Sequence, residues 1–312
     1  MKIFLMILLI LIIIYLITTY MMFILISKKT AKELLPMSKN VEKALLPYKT
    51  IREKGVAWIN NKPKEDIMIK SKDNLDLHAI LIEHKKPNAI MIELHGYRST
   101  ANRDLFPSCH EYYKLGYSLL IPDMRCCGLS EGKYITFGIK ESKDLLEWIK
   151  YCNKRFPNTQ IILAGISMGA STILMTLDDL NLRNNVKLVL VDSAYNDPIE
   201  EINYCIKTYF HLNGKLFIKM INNWCKWIAH FNLKDKNVLK SIKDIQIPIL
   251  WIHGLNDSFV PYENSKVSFN YYNGPKELLL IDNAEHGMSY LIEPDKYVKT
   301  VKDFMERNKV WN

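Results

Sequence analysis

The fold is decided at residues 161–170, which read IILAGISMGA. The first four residues are a short, continuous apolar run, as expected of a strand that is buried on both faces. The pattern G-x-S-x-G follows, with Gly165, Ser167 and Gly169, and it leads into a predicted helix. Between a strand and a helix this pattern is typical of a nucleophile elbow, a strained turn that needs small residues two positions before and after the serine. An ordinary helix start flanked by glycines is the alternative.

Ser167 is therefore predicted to be a nucleophile. An elbow lifts the hydroxyl clear of the sheet and directs the first backbone N–H of the helix, that of Met168, at the reacting oxygen. A serine hydroxyl is a weak nucleophile at neutral pH, so it needs a base, and the base needs an orienting carboxylate. On this topology both should come later in the chain, first the acid and then the histidine.

The acid and the base are predicted on two loops that follow apolar runs. Asp257 comes after the run 248–252, and His286 comes after the run 277–281. We predict Asp257 as the acid and His286 as the base. Asp192, after an earlier run, is the alternative acid. The non-catalytic alternatives are a turn or capping role for Asp257 and a surface-loop role for His286.

A second donor to the oxyanion is predicted after the run 89–94, where His95, Gly96 and Tyr97 follow. The loop after the first central strand commonly supplies this donor. We assign it to the backbone N–H of Tyr97, because Gly96 lets the backbone approach the substrate closely. His95 is expected to brace the loop.

Working outward from the elbow, short apolar runs alternate with helical stretches. The predicted strands are 89–94, 118–121, 160–164, 187–191, 248–252 and 277–281, and the predicted helices are 101–115, 138–153, 168–181, 261–272 and 294–307. An alternating hairpin, 66–70 and 76–83 with Asn74 at its turn, precedes them. This rhythm predicts an α/β fold with a mostly parallel central sheet and helices on both faces.

One interval, about 194–244, breaks this rhythm and is rich in large apolar side chains. We predict a helical lid folded over the end of the sheet. Phe217 is our first choice for a side chain that faces an acyl pocket beneath it.

The N-terminus predicts a single membrane span. Residues 3–26 are almost entirely apolar, and a helix of that length is about 36 Å long, enough to cross a hydrocarbon core of about 30 Å. A cleaved signal peptide is the alternative, but its apolar stretch is shorter and ends at a small-residue cleavage site. We therefore expect residues 1–27 to be an anchor in the cell membrane whose removal leaves the catalytic domain intact.

The net charge of +9 is concentrated beside this anchor. Residues 27–72 hold twelve Lys and Arg against five Asp and Glu, so no basic stripe for nucleic acid remains elsewhere. We predict a basic juxtamembrane tether over 28–65, with one short helix between Ser38 and Lys54, and a catalytic domain over 66–312. The lysines favour a cytoplasmic position for that domain. The oligomeric state stays open.

The six cysteines form no C-x-x-C pair and no zinc-ligand spacing, which predicts no metal site. Cys126 and Cys127 are adjacent. They are either a redox-labile disulfide or two buried thiols, and the sequence leaves both open.

Five motifs together resemble the α/β-hydrolase superfamily, and within it the single-span bacterial hydrolases related to the serine aminopeptidase and monoacylglycerol lipase group. The resemblance covers about residues 66–307. The motifs are His95-Gly96, Pro122-Asp123-x-Arg125-x-x-Gly128-x-Ser130-x-Gly132, Gly165-x-Ser167-x-Gly169, His253-Gly254-x-x-Asp257-x-x-Val260-Pro261 and Glu285-His286-Gly287. The family usually has glycine after the arginine of the second motif, where this chain has Cys126.

The resemblance implies hydrolysis of an ester or amide through an acyl-enzyme, with no metal or organic cofactor. An apolar lid beside a membrane anchor favours a lipophilic acyl ester as the substrate. The alternative is an aminopeptidase, in which Glu200 or Glu201 would hold the α-amine of the substrate. A hypothesis of another class is a non-catalytic, membrane-tethered binding scaffold.

Overall fold

Eight strands form one sheet in the computed structural model, which describes residues 1–28, 45–179 and 185–310. The strands are β1 Glu65–Lys70, β2 Asp76–Ile82, β3 Ala89–Leu94, β4 Tyr117–Pro122, β5 Gln160–Ile166, β6 Val186–Asp192, β7 Ile249–Gly254 and β8 Lys276–Ile281. Their order across the sheet is β1-β2-β4-β3-β5-β6-β7-β8. β1 and β2 form the predicted antiparallel hairpin, β2 also pairs antiparallel with β4, and all other pairs are parallel.

Helices cover both faces of this sheet. They are α1 Lys2–Ser27, α2 Lys49–Asn60, α3 Ala101–Asp104, α4 Phe106–Lys114, α5 Glu141–Arg155, α6 Met168–Thr176, α7 Pro198–Phe210, α8 Lys215–Ile228, α9 Val238–Ile242, α10 Glu263–Tyr271, α11 Ser289–Ile292 and α12 Pro294–Arg307. One apolar cluster joins α5, α6 and α9 to the sheet, and a second joins α2, α4 and α12 to the opposite face. The predicted α/β-hydrolase architecture is confirmed, and the two covered faces explain why its central strands are continuous apolar runs.

The predicted tether differs from the structure over its second half. Ile51, Gly55 and Ile59 form one stripe along α2 that faces the second apolar cluster, in which Ile59 is fully buried. A Cβ atom on Gly55 would collide with the backbone of Phe106, so α2 lies directly against α4. The domain therefore begins before residue 66. The basic residues of α2 suggested a tether because they occupy its outer face. The first part of the tether, and of the helix predicted between Ser38 and Lys54, lies outside the described residues.

The lid is built from α7 and α8, followed by α9, within the interval predicted from the sequence. Its own apolar cluster includes Met22 and Phe23 of α1. α1 is long and apolar enough to cross a membrane, with a mean hydropathy of 2.8, although a signal sequence passes the same test. Most of α1 is exposed, but Thr19, Met22, Phe23 and Ser27 are buried. The end of α1 is thus part of the folded domain, which differs from the expectation of a separable anchor.

Candidate active site

Ser167 stands at the turn between β5 and α6, where its backbone has φ 56° and ψ −121°. A left-handed φ of this kind is costly for a non-glycine residue and persists only where the surroundings enforce it. A Cβ on Gly169 would collide with the backbone oxygens of Leu94 and His95, and a Cβ on Gly165 would lie 2.9 Å from the Ala170 nitrogen. Both glycines are therefore required by close approach of backbone, as the elbow pattern predicts.

The structure brings Ser167, His286 and Asp257 into one hydrogen-bonded chain. The Nε2 atom of His286 lies 2.8 Å from the Ser167 hydroxyl, and Nδ1 lies 2.7 Å from Oδ2 of Asp257. A carboxylate only accepts, so Nδ1 carries the proton and Nε2 is free to accept one from the serine. His286 is on the loop after β8, and Asp257 is on the loop after β7.

Asp257 is fully buried and accepts four hydrogen bonds. Its Oδ1 accepts from the backbone N–H groups of Phe259 and Val260, at 3.0 and 2.8 Å. Its Oδ2 accepts from His286 and, at 3.1 Å, from Nε2 of His253. Burial alone would raise the pKa of this carboxyl, but the neighbouring histidines outweigh burial and hold the pKa well below its usual range. Asp257 is therefore an anion fixed in one orientation.

His253 bonds the same carboxylate oxygen, Oδ2, as His286 does. Its Nε2 also lies 2.9 Å from the carbonyl of Val260, and its Nδ1 lies 2.7 Å from the Ser265 hydroxyl. Because both neighbours of Nε2 are acceptors, Nε2 carries a proton and Nδ1 accepts from Ser265. The His253 ring is fully buried.

The electrostatic surroundings of His286 favour its protonated form. Burial lowers its pKa, but the charge and hydrogen bond of Asp257, with smaller contributions from Glu201 and Asp192, raise the pKa above its ordinary value. A base whose pKa lies near the working pH is suited to take a proton and return it.

Asp192, the alternative acid, lies at the end of β6 and does not reach His286. Its carboxylate accepts from the hydroxyls of Ser193 and Ser289, at 2.9 and 3.0 Å. Burial raises its pKa to about 6. Its backbone carbonyl accepts from the N–H of Ser167 at 2.8 Å. Asp192 thus holds the backbone of the elbow through its carbonyl, and Asp257 is the carboxylate in contact with His286.

The loop after β3 lies against the elbow. A Cβ on Gly96 would lie 3.2 Å from the Cβ of Ser167. The loop is fixed by the N–H of Gly96, which donates to Asp104 at 2.8 Å. His95 links it to the next loop, since its Nε2 accepts from the N–H of Met124 at 3.0 Å.

The two N–H groups assigned to the oxyanion hole come from this loop and from the elbow. Across the described ranges, neither the backbone N–H of Tyr97 nor that of Met168 donates to a protein acceptor. Both are therefore available to a substrate oxygen.

The loop after β3 is also hydrogen-bonded to the end of α1. The Tyr97 hydroxyl donates to the carbonyl of Ile26 at 2.7 Å. The guanidinium of Arg98 donates to the carbonyls of Leu25 and Lys28, at 2.6 and 3.0 Å. Carbonyls at a helix C-terminus lack partners within the helix, so these side chains supply what the helix end needs. Local sequence patterns carry no signal for contacts across seventy residues or more, and the sequence analysis did not predict these three.

Phe259 links the site to the lid through its ring contacts, and Glu201 of the lid acts on the pKa of His286. The ring of Phe259 lies 5.0 Å from that of His286 and 6.1 Å from that of Tyr209 on α7. Burial raises the pKa of Glu201, also on α7, to about 7. Phe217, expected to face the acyl pocket, instead stacks on Tyr15 of α1 with the ring centres 6.1 Å apart.

Metal-binding clusters are absent from the part of the chain that the structure describes: no three His, Cys, Asp or Glu side chains there are placed to hold a metal ion.

The chain is similar to known proteins over most of its length. No protein-family model matches it. It is 27% identical over 224 residues to the uncharacterised protein YqkD of Bacillus subtilis, a match that covers 72% of each protein. The esterase Pf2001 of Pyrococcus furiosus superposes with a TM-score of 0.65 and 26% identity, over 83% of this chain and 95% of the esterase. An α/β serine hydrolase homologue of Coxiella burnetii superposes with a TM-score of 0.53 and 20% identity, over 76% of this chain and 96% of the homologue.

Proposed function

We propose that this hydrolase, a member of the α/β-hydrolase superfamily, cleaves carboxylic esters through an acyl-enzyme on Ser167. The observation that carries the proposal is the hydrogen-bonded chain from the Ser167 hydroxyl through His286 to the buried carboxylate of Asp257. Those three groups in that order activate a serine for acyl transfer.

In the proposed reaction, Nε2 of His286 takes the proton of Ser167 as its oxygen attacks the ester carbonyl. The negative charge that develops on the carbonyl oxygen is stabilised by the backbone N–H groups of Tyr97 and Met168. Imidazolium forms next to Asp257, and the proton then passes to the departing alcohol. Water, activated by the same imidazole, hydrolyses the acyl-enzyme and restores Ser167.

An ester with an apolar acyl group fits the surroundings best. The base is contacted by the ring of Phe259, which contacts Tyr209 of the lid. The solved structure that is 26% identical to this chain is called an esterase. Aromatic side chains at the mouth of a site favour burial of a hydrocarbon group over a charged one.

A serine aminopeptidase is the second candidate, and Glu201 favours it. This carboxyl acts on the pKa of His286, so it lies near the site, where a carboxylate can pair with a substrate α-amine. Burial holds its own pKa near 7, so the carboxylate form is only partly present at neutral pH. Glu200, its exposed neighbour, has no such link to His286.

The proposed function includes attachment to a membrane through α1 as a single span, with the catalytic domain on the cytoplasmic side. Retention of α1 is supported by the buried Met22 and Phe23, since cleavage after residue 27 would expose the lid surface that covers them. Full-length protein should stay with the membrane pellet through high salt and alkaline carbonate. A shortened, soluble form would contradict the anchor.

A hydrolysis panel tests the activity itself. Purified full-length protein is offered p-nitrophenyl esters of increasing chain length and aminoacyl-naphthylamides, and a separate sample is labelled with a fluorophosphonate probe. We expect labelling and ester turnover, both abolished in Ser167→Ala with a loss of about 10³-fold or more in kcat. Turnover of the naphthylamides alone would favour the peptidase. Failure of the folded protein to react with the probe would favour the non-catalytic scaffold.

A further inference from the structure

The lid presents large apolar side chains to the outside around the turn from α7 to α8. We call residues 209–216 the lid tip; Tyr209, Phe210, Leu212 and Leu216 are all exposed there. Contiguous apolar surface of this kind marks a contact surface. Residues 202–234 also contain five lysines and no Asp or Glu. The surface is therefore apolar at its tip, apart from Lys215, and basic around it.

The lid helix α8 runs alongside α1 in the same direction. Near its start, the carbonyl of Leu216 accepts from the Tyr15 hydroxyl at 2.8 Å. About one turn further along α1 and two turns further along α8, Nε1 of Trp224 donates to the hydroxyl of Thr19 at 3.1 Å. Both contacts move toward the C-terminal ends of the two helices, and the first of them places the lid tip level with Tyr15.

The position of Tyr15 along α1 sets the depth of the lid tip. The apolar run covers residues 3–26, whereas a hydrocarbon core of about 30 Å takes about 20 residues. Even if the core ends as early as residue 22, Tyr15 lies seven residues inside it, or about 10 Å along the helix. A lid tip that contacts Tyr15 cannot then remain in water.

We propose that the lid tip is inserted into the lipid bilayer, in the leaflet next to the catalytic domain. The proposal rests on the membrane span assigned to α1 under the proposed function. The exposed apolar side chains of the tip face acyl chains, and the lysines extend their stems toward anionic headgroups. Trp227 is exposed and lies about one turn beyond Trp224, which bonds Thr19. It is therefore nearer to the end of α1 than the lid tip is, on the side of the interface that tryptophan favours.

Insertion brings the bilayer close to the site. Tyr209 belongs to the lid tip, and its ring contacts Phe259, which contacts His286. One aromatic ring thus separates the inserted surface from the imidazole. An acyl chain in the leaflet would therefore meet aromatic side chains between the lid tip and the imidazole.

The test measures contact between the tip and acyl chains in full-length protein. The protein is reconstituted in vesicles of phosphatidylcholine and phosphatidylglycerol, with or without bromine on carbons 6 and 7 of the acyl chains. A tryptophan is introduced at the tip by Leu216→Trp, or by Leu212→Trp in case the first variant does not fold. Val267→Trp is the matched control, because Val267 is also exposed and lies on α10, away from the lid. Bromolipid should remove most of the fluorescence added at 216 or 212 and little of that added at 267.

Two outcomes overturn the proposal. Unquenched tip tryptophans in protein that still resists carbonate would mean that the tip lies outside the leaflet, covered by water, a second copy of the chain or another protein. Loss of the protein from the vesicles in carbonate would remove both the span and the insertion. Turnover of a soluble short-chain ester is measured separately in the same vesicles. The esterase proposal is judged on that turnover alone, whatever the quenching and carbonate experiments show.

Discussion

Four donors converge on the carboxylate of Asp257, and two of them are backbone N–H groups that hold it whatever the state of His286. Asp257→Asn keeps the size of the side chain but puts an NH₂ group in place of one acceptor. Facing a donor, Nδ1 of His286 would lose its proton to Nε2, which could then no longer accept from Ser167. We expect kcat to fall by about 10⁴, by analogy with a triad protease. Steady-state kinetics on a short-chain ester measures the loss.

Asp192→Asn is the control for this prediction. Asp192 bonds two serine hydroxyls and not the imidazole, so its variant should lose far less activity. If the two variants lost activity in the reverse order, Asp192 would be the acid.

The pH dependence of turnover should report the surroundings of His286. Only the neutral imidazole accepts the serine proton, so kcat/KM should fall as the pH drops through the pKa of His286. Asp257, Glu201 and Asp192 raise that pKa above its ordinary value, so the acidic limb should lie at higher pH than a histidine in water would give. Glu201→Gln removes the carboxylate fraction of Glu201, which favours imidazolium. It should move the limb to lower pH.

Glu200→Gln serves as the matched variant, because Glu200 is the exposed neighbour on the same helix. Its acidic limb should stay where the wild-type limb lies. Equal shifts in both variants would show a general charge effect and contradict a specific contact between Glu201 and the base.

At the scale of elements, α1 and the loop after β3 act as one unit. Tyr97 and Arg98 donate two hydrogen bonds to the last carbonyls of α1 and one to the carbonyl of Lys28, the next residue, and Met22 and Phe23 are buried in the lid. Each buried side chain contributes about 1.5–3 kcal/mol and each hydrogen bond about 1 kcal/mol. Deleting residues 1–27 should therefore lower Tm by roughly 10 °C or more. It should also reduce turnover, since the Tyr97 N–H loses its support.

A shorter deletion, of residues 1–13, distinguishes the effect of losing the packing contacts of α1 from the effect of losing its exposed apolar length. It removes much of the exposed part of α1 and keeps Tyr15 and every later contact, so Tm in the same detergent should stay close to that of the full chain. Calorimetry on the three proteins decides the matter. Equal stability of all three would restore the separable anchor that the sequence suggested.

Elements whose signal is local were predictable, and contacts between distant elements were not. The strand after which Ser167 stands was predicted at 160–164 and extends over 160–166, because a buried strand and a glycine-flanked turn are both encoded within ten residues. Phe217 was misassigned for the opposite reason. The apolar face of α8 is shared between the lid and α1, and the helical period cannot distinguish two apolar partners.

One departure from the resembling family is explained by backbone geometry. Cys126 stands where those hydrolases usually have glycine, and its φ is 68°. This left-handed conformation is the one that glycine adopts without strain. The turn therefore keeps the same backbone conformation in this chain, although Cys126 is strained in it where glycine would not be. Cys126 and Cys127 are both buried. The conformation is a property of the turn rather than of the residue type.

For the whole molecule, the sheet fixes where Ser167, Asp257 and His286 meet, and under the proposed function the lid with α1 would determine which substrates reach them. The carboxyl ends of parallel strands β5, β7 and β8 lead into the loops of Ser167, Asp257 and His286. This convergence follows from the order of strands and loops in the sequence. What the lid contacts depends on packing between residues about 200 apart, so the substrate could be inferred only as a class.

Acyl-chain length is the property that this whole arrangement should control. Burial contributes about 0.8 kcal/mol per CH₂, so each methylene that packs against Phe259 and the lid should raise kcat/KM by up to about fourfold until no further methylene reaches them. Medium-chain p-nitrophenyl esters should therefore be hydrolysed faster than the acetate. Phe259→Ala removes the ring between His286 and Tyr209 and should flatten this profile while acetate turnover changes less. Tyr271→Ala, at an exposed position on α10, should keep the wild-type slope. A flat profile in the wild-type enzyme would contradict the lipophilic substrate and leave a small ester or the aminopeptidase reaction as the remaining assignments.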